Sequence, residues 1–417
     1  WYDRTNYYET LPAKGDNLEW AIRFETDRMR NAVMTEKKLK PERTVVINEL
    51  DMGENNAISV LLDKVEAMSY MFHGYGHSTI GSKSDLEELP LSAVQGFYDK
   101  YYQPDNAILV ISGKIDPKNT LALVEKHMGK VPRPKRKLTR TYTREDARDC
   151  YREVRLRRVS EVGAVAMIFH TPETAHPDTA PLKVLESIMT DEPSGRLYKA
   201  IIDKKKAASL SRFSYLRNEG GIIGYLSTVP KDKSLDAVRD TMVKVTENLA
   251  KSPVTDKEVE RAKNDLLKRI ERTLSNSQRF NTQLSEWASR GDWRLFFLYR
   301  DGIKKVTAKD VMRVAKHYFK RENQTVGILL PTAKPRRVEI PQVKDLNTLL
   351  AKYNTKEAKV QKKAFELTVA NLDKHTKRLK LPNGMKMALL PKPARGEKVE
   401  MSLTIPVCHA KDVVKGY

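Results

Sequence analysis

An internal repeat is the feature that most constrains the fold of this chain of 417 residues. Residues 91–113 align with residues 308–330 at an offset of 217 positions. Both copies predict an amphipathic helix ending in an aromatic pair, a polar turn that contains Asn, and an apolar strand. The aligned pairs are Val94 with Val311, Phe97 with Val314, Tyr101 with Tyr318, Tyr102 with Phe319, and Asn106 with Asn323. A duplication at this spacing predicts two similar domains in tandem.

Basic stretches that contain proline predict where the domains end. A first domain is expected at residues 1–130, a linker at 131–150, and a second domain at 151–332. A second basic linker is expected at 333–378, followed at 379–417 by the start of a third domain. That third domain opens with the turn dipeptide Asn383-Gly384, which is typical of a β-hairpin.

Helices alternate with short strands along the chain, which predicts an α+β fold with helices packed on sheets. The apolar runs predict strands at residues 4–10, 107–111, 162–169, 221–228 and 325–330. Pro41 is expected to be the first residue of one helix. Thr255 with Glu258, and Thr307 with Asp310, have the spacing of capping boxes that open two further helices.

Composition excludes several classes of protein. The chain carries 76 Lys+Arg against 54 Asp+Glu, a net charge of +22, but with 40% hydrophobic residues it is globular rather than a disordered polycation. The basic linkers lack interleaved aromatic residues and no nucleic-acid-binding motif accompanies them, so we interpret them as solvated connectors and expect no nucleic-acid partner; a basic nucleic-acid binder remains the third alternative. No apolar run is long enough to span a membrane.

The two cysteines are far apart in the sequence. Cys150 and Cys408 lie beside no other cluster of ligand-type residues, so neither a disulfide framework nor a cysteine zinc site can be argued, and their redox state stays open. Residue 1 is Trp, and the last stretch of residues resembles the opening of a new domain. We therefore expect the chain to be a segment of a longer polypeptide, with any signal peptide upstream.

Two glutamates on the helix after Pro41 are the candidate site. Glu42 and Glu49 are seven residues apart, which is two helical turns, so they lie on one face. That face also carries Val45 and is expected to point inward. An inward carboxylate needs a cation, a metal or a proton, so both an ordinary ion pair and a metal or catalytic role are open.

The histidines do not form a convincing metal site. His73 and His77 have the i, i+4 spacing of zinc ligands, but Gly74 and Gly76 lie between them and favour a loop. The other six histidines are isolated in the sequence. We therefore expect surface or packed histidines rather than ligands.

Several motifs together resemble the pitrilysin or insulinase family of zinc peptidases, the M16 family. They cover nearly the whole chain and are Asp3-Arg4-Thr5-Asn6-Tyr7-Tyr8-Glu9-Thr10-Leu11-Pro12, Asp27-Arg28-Met29, Glu42-Arg43-Thr44-Val45-Val46-Ile47-Asn48-Glu49, Gly76-His77-Ser78-Thr79-Ile80-Gly81, Tyr101-Tyr102, Pro104-Asp105-Asn106-Ala107, Gly195-Arg196-Leu197-Tyr198, Gly291-Asp292-Trp293-Arg294-Leu295 and Leu381-Pro382-Asn383-Gly384. The chain is most similar to the long bacterial members, whose two halves each hold two similar domains. The resemblance implies tandem M16-type domains, of the LuxS/metallopeptidase-like fold, with antiparallel-rich sheets and helices packed on one face.

The resemblance also implies a chemistry. In the family, one Zn²⁺ is held by two histidines of a His-x-x-Glu-His helix and by a distal glutamate, and the glutamate of that helix is the general base for zinc-bound water. By this match Glu49 is the third zinc ligand. Glu42 is then a supporting carboxylate that orients a ligand histidine.

The chain departs from the family in one respect, since no His-x-x-Glu-His occurs in its 417 residues. We expect both histidine ligands and the general base upstream of residue 1, which leaves this chain inactive by itself. The expected partners are a peptide or unfolded protein substrate and the C-terminal half of the same polypeptide. The alternative is a non-catalytic M16-like subunit that binds peptides or a partner. The usual family setting implies a periplasmic or secreted protein.

Overall fold

The structure is a computed structural model that describes residues 1–139, 143–341, 343, 345–351, 353, 365–392 and 398–405. The chain divides into two compact units, Trp1–Arg336 and Arg337–Tyr417. The division falls inside the linker predicted at 333–378. The finer division into residues 1–130 and 151–332 stays a prediction, because both segments belong to the first unit.

Helices make up most of the regular secondary structure of the described chain. The first part of the first unit holds α1 (Asn17–Arg30), α2 (Glu36–Asn55), α3 (Ala57–Ser69), α4 (Lys83–Glu88), α5 (Leu91–Tyr101) and α6 (Pro117–His127). Its second part holds α7 (Thr179–Thr190), α8 (Arg196–Ile201), α9 (Leu235–Glu247), α10 (Asp256–Leu274), α11 (Ser277–Ser289), α12 (Leu295–Lys305) and α13 (Ala308–Tyr318). Single turns of 3-10 helix lie at Gly74–Gly76, Pro104–Asn106, Asn248–Ala250 and Arg321–Asn323.

One mixed sheet organises the first unit. Its strands are β1 (Arg152–Arg158), β2 (Gly163–Thr171), β3 (Ser209–Tyr215), β4 (Gly221–Val229) and β5 (Gln324–Pro331), in the order β1-β5-β2-β4-β3. Only the β1–β5 pair is parallel; the other three pairs are antiparallel. The predicted α+β class with an antiparallel-rich sheet is therefore confirmed, as are the strands predicted at 162–169, 221–228 and 325–330.

Both faces of this sheet are buried, which explains why β2 is apolar along nearly its whole length. The odd-numbered residues Val165, Met167 and Phe169 face a core formed with the helices of residues 179–318. Even-numbered residues such as Ala166 and Ile168 belong to a second core on the opposite face. The alternation follows from the two-residue period of a strand. The resemblance implied helices packed on one face, whereas here helices cover both faces.

Helix α3 covers the second face of the sheet. Leu61 and Val65 are fully buried there. A Cβ atom at Gly327 of β5 would lie 2.0 Å from a methyl carbon of Val65, so only glycine permits α3 to approach this closely. The predicted first domain thus contributes one helix to the core of the predicted second domain.

The internal repeat is present in the structure at the predicted offset. Helix α5 and its following 3-10 turn, Pro104–Asn106, correspond residue for residue to α13 and Arg321–Asn323 at an offset of 217. Two further pairs agree to within a few residues, α1 with α9 and α2 with α10. Both predicted capping boxes also form, at Thr255–Glu258 and Thr307–Asp310.

Two predicted strands do not form. The structure has no strand at residues 4–10 or 107–111. A strand is stable only when a neighbour satisfies its backbone hydrogen bonds. In the second copy β5 lies between β1 and β2, whereas the first copy offers residues 107–111 no such partner in the described chain, and Ile108 is 59% exposed.

The predicted start of α2 at Pro41 is also wrong. The helix begins at Glu36, and Pro41 lies inside it. The Thr35 hydroxyl accepts a hydrogen bond from the Lys38 backbone N–H at 3.3 Å, so the N-cap is one turn and a half earlier than expected. An N-cap hydroxyl supplies a partner for an orphan backbone donor, which a proline at the first turn does not.

The second unit is described in part. It contains α14 (Leu346–Ala351), α15 (Val369–His375) and a two-stranded sheet of β6 (Lys377–Lys380) and β7 (Lys386–Leu389). Asn383-Gly384 lies in the connecting turn, where Gly384 has a φ of 86°. The predicted hairpin is therefore confirmed. Cys408 and His409 lie outside the described residues, and Cys150 is a free, exposed thiol.

Among the described helices, none combines the length and the apolar character that crossing a membrane requires.

Candidate functional site

Helix α2 carries both predicted site residues. Glu42 and Glu49 lie on one continuous helix, about 10 Å apart along its axis, and therefore on the same face. The orientation of the helix is fixed by contacts on the side opposite the two glutamates. The Arg43 guanidinium donates to the Leu89 carbonyl at 2.6 Å, and Lys83 forms an ion pair with Asp51 at 3.1 Å.

The expected orientation of α2 is wrong. Glu42 and Glu49 are exposed, and Val45 between them is 57% exposed. Arg43 and Asp51 tie the helix to the α4 region instead. The reason is that no described element packs against the Val45 face, so α2 has no buried residue. The two carboxylates stay hydrated and need no buried counter-ion in this chain.

The internal repeat shows what this face becomes when it is covered. At the offset of 217, Glu42 and Glu49 correspond to Val259 and Leu266 of α10. These two residues are 2% and 8% exposed and belong to the main core. Val45 corresponds to Ala262, which is also buried. One helix face is therefore an apolar core stripe in the second copy and carries two carboxylates in the first.

The histidine pair is separated as the loop prediction expected. A single 3-10 turn lies between His73 and His77, and His77 is exposed. The His73 ring is buried; its Nδ1 accepts from the Tyr75 backbone N–H at 3.1 Å, and its Nε2 lies 2.8 Å from a Glu219 carboxylate oxygen. The pair does not converge on a common point.

The described residues do not by themselves supply a zinc site. Within the described ranges, no group of three or more His, Cys, Asp or Glu side chains is placed to hold a metal ion. A catalytic zinc site needs three protein ligands and an open position. The donor type of Glu49 suits zinc, but the donor number is incomplete, so the ion does not fit the residues present without further ligands.

A buried ion pair that the sequence did not reveal joins the two parts of the first unit. Arg217, in the turn between β3 and β4, donates to the Glu66 carboxylate of α3 and, at 3.0 Å, to the Tyr70 hydroxyl. Its guanidinium is 3% exposed and lies over the ring of Tyr2 at 4.0 Å. Burial raises the pKa of Glu66, and the adjacent guanidinium opposes that rise. No periodicity or motif marks two residues so distant in sequence as partners.

The segment predicted as the first linker is also attached to this junction. The Glu145 carboxylate accepts backbone hydrogen bonds from Met71, Phe72 and His73 at 2.7, 3.0 and 3.1 Å. Burial acts to raise the pKa of Glu145, but these three N–H groups hold that pKa below its usual value. Arg148 donates to the Ser69 carbonyl at 2.6 Å. Residues 143–150 therefore contact the core rather than forming a solvated connector.

A wide surface cavity lies between α1 and α6. It has a volume of about 850 Å³, and its lining includes the stacked rings of Trp20 and Phe24, 5.0 Å apart, and His127. Nearby, hydrogen bonds from Lys126 and His127 hold the pKa of Glu19 at about 2. Most of the residues that line this cavity are polar residues of helix surfaces, and the cavity brings no catalytic pair together.

Comparison with known proteins agrees with the fold. The sequence matches the family model described as "Peptidase M16 inactive domain" over residues 88–266. This range begins in the predicted first domain and ends in α10, at the counterpart of Glu49.

Individual relatives give the same result. The chain is 24% identical over 335 residues to a zinc protease, PqqE, of Helicobacter pylori, covering 79% of this chain and 75% of that protein. It is 23% identical to core protein I of the ubiquinol-cytochrome-c reductase complex of Euglena gracilis, covering 78% of this chain and 70% of that protein. A solved protease structure from Helicobacter pylori superposes with a TM-score of 0.72 at 23% identity, covering 76% of this chain and 77% of that one.

Proposed function

The chain belongs to the M16 family of peptidases and contains its inactive-type domain, and from this premise we propose that it is part of a zinc-dependent metalloendopeptidase. In this proposal α2 presents Glu49 as a zinc ligand and residues 151–332 form the non-catalytic domain. The two histidine ligands and the general base come from a His-x-x-Glu-His helix upstream of residue 1. When bound, zinc supplies the activation of a water molecule for attack on a peptide bond.

One observation carries the proposal. The face of α2 that holds Glu42 and Glu49 corresponds to the face of α10 that is buried in the core through Val259 and Leu266. In α2 both carboxylates are exposed and take no part in packing, so they are available as ligands, which supports a role in binding rather than in folding.

The residues of the chain have separate tasks in this proposal. Glu49 donates a carboxylate oxygen to the metal. Glu42, two turns away on the same face, accepts a hydrogen bond from a ligand histidine and fixes its orientation. The contacts of Arg43 and Asp51 with the α4 region hold the helix so that both carboxylates keep their position.

The test uses the full-length gene product, measured for zinc content and for cleavage of an unfolded peptide substrate. Glu49→Gln is expected to abolish zinc binding, and Glu42→Gln to weaken metal affinity about 10–100-fold. Glu36→Gln is the matched control, because Glu36 is an exposed glutamate in the first turn of the same helix. Unchanged zinc content in Glu49→Gln would refute the ligand assignment.

A second candidate is a non-catalytic M16-like subunit that binds peptides or a partner protein. Two observations favour it: the matched family model is that of the inactive domain, and one relative is a core protein of the ubiquinol-cytochrome-c reductase complex. The absence of His-x-x-Glu-His from the full-length gene product, together with zinc content below one ion per chain, would select this candidate over the first.

A further inference from the structure

The second copy of the repeat forms a small, open cavity at the position that corresponds to the candidate zinc ligand. The cavity has a volume of about 230 Å³ and is bounded by α7, β3, α10, α11 and α12. Leu266, the counterpart of Glu49, lines it. Because leucine offers no donor atom, this cavity cannot be a second copy of a metal site.

Charged side chains enter the cavity from two sides. Glu186 of α7 is 2% exposed and is neutralised by an ion pair with Lys183, whose Nζ also donates to the Ser214 hydroxyl at 2.6 Å. Arg212 of β3 donates through Nη1 to Asp191 at 2.5 Å and to Thr190 at 3.0 Å. Its Nη2 is 4.0 Å from the Asp265 carboxylate, which is beyond hydrogen-bonding distance, so it keeps N–H groups for another acceptor.

Two aromatic residues add unused donors. Trp287 and Tyr299 line the cavity with ring centroids 5.2 Å apart. Within the described part of the chain, neither the Trp287 indole N–H nor the Tyr299 hydroxyl has a hydrogen-bond partner. Both groups are accessible from the cavity, so they are free to donate to an acceptor that binds there.

The rest of the lining combines three polar residues, Arg269, Thr273 and Gln283, with an apolar wall. Phe296 lies 6.1 Å from the Trp287 ring, and Leu266 and Ile270 complete the wall. The volume is below the roughly 300–1,000 Å³ of sites for drug-sized ligands, so the ligand must be small. A donor-rich mouth beside an aromatic wall is complementary to a molecule that joins an acceptor anion to an apolar group.

We propose that this cavity is a binding site for small carboxylates that carry an aromatic or branched apolar group. The carboxylate accepts hydrogen bonds from Arg212, Trp287 and Tyr299, and the apolar group packs on Phe296 and Ile270. The site is independent of Glu49 and of any catalytic zinc, since it uses side chains of residues 183–299 alone.

The probe for the test is 3-phenylpropionate, titrated into the whole chain and followed by calorimetry and by tryptophan emission. Saturable binding is expected, with a change in the emission of Trp287. The neutral amide of the same acid should bind at least about 10-fold more weakly, because hydrogen bonds from a guanidinium to a carboxylate are charge-assisted. A peptide that ends in Phe, with a free or an amidated C-terminus, distinguishes a chain terminus from a free acid as the source of the carboxylate.

Two variants test the residues. Tyr299→Phe removes only the hydroxyl and should weaken binding about 10-fold. Arg269→Gln removes an exposed cation at the rim and should weaken binding about threefold. Tyr198→Phe and Arg261→Gln are the matched controls, since neither residue lines the cavity, and both should bind the probe as the parent does.

Two results would overturn the proposal. One is the absence of saturable binding of the acid at about 10 mM, a concentration at which even a weak specific site is occupied. The other is a lack of discrimination, either between the acid and its amide or between Tyr299→Phe and Tyr198→Phe. In the full-length gene product, Tyr299→Phe should leave the zinc content unchanged, which keeps this test separate from that of the zinc ligand.

Discussion

Helices α2 and α10 are two copies of one element in two different environments. Helix α10 buries Val259, Ala262, Leu266 and Ile270 against the core, whereas α2 has no buried residue. The corresponding positions of α2 are Glu42, Val45, Glu49 and Gly53. The difference teaches that the repeat conserves the backbone of the helix while the chemistry of one face has diverged, from packing in one copy to exposed carboxylates in the other.

The largest expected effect comes from exchanging residues between the two copies. Val259→Glu places a carboxylate at a position that is 2% exposed, and should lower the free energy of unfolding by about 4 kcal/mol because the charge loses its hydration without gaining a partner. The converse change, Glu42→Val on the exposed face, should alter it by no more than about 0.5 kcal/mol. Denaturant titration followed by circular dichroism measures both, and similar losses in the two variants would refute the contrast.

The contact between the two parts of the first unit should make the free energy of unfolding depend on pH. His170 lies at the end of β2 with its ring centroid 4.4 Å from that of Tyr70, at the end of α3, and its Nε2 has no hydrogen-bond partner within the described residues. Burial, aided by the nearby charge of Arg148, lowers the pKa of His170 to about 4. The unfolded chain, with an ordinary histidine pKa of 6.5, therefore binds the proton more readily than the folded chain does.

The contribution of neutral His170 to the stability of the fold is fully present above about pH 6.5 and is lost as the pH falls from there toward 4. The free energy of unfolding should decrease by about 2 kcal/mol between about pH 7.5 and pH 5 because of this residue. His170→Gln should remove that part of the pH dependence, while His317→Gln, at an exposed position of α13, should retain it. If the free energy of unfolding of His170→Gln depended on pH as strongly as that of the parent, the titration of His170 would not be the cause.

The smallest effect concerns the helix caps. Thr255→Ala removes the capping box of α10 and should cost about 1 kcal/mol of the free energy of unfolding, because α10 is part of the core. Thr35→Ala removes the single cap hydrogen bond of α2, and should increase amide exchange at the start of that helix with a smaller change in overall stability. Hydrogen exchange measured for each helix distinguishes the two variants. Equal losses in the global free energy of unfolding would mean that α2 folds as cooperatively as α10.

The predictions from sequence succeeded where a local pattern was sufficient. The capping residue Thr255 and its partner Glu258 are three residues apart, and the apolar run of β2 is continuous. The predicted role of Glu49 rests on a motif and stays a prediction. The position of Glu42 and Glu49 on one face was correct, since it depends only on the helical repeat, but the exposure of that face was not.

The sequence by itself determined the duplication, the α+β class and the hairpin at Asn383-Gly384, because each is encoded in residues that are neighbours in the chain. The tertiary structure alone decided that residues 107–111 remain without a strand, since a strand needs a partner that local sequence cannot supply. It alone also paired Glu66 with Arg217, 151 residues apart. Burial and long-range pairing depend on which surfaces meet, and that is a property of the folded chain as a whole.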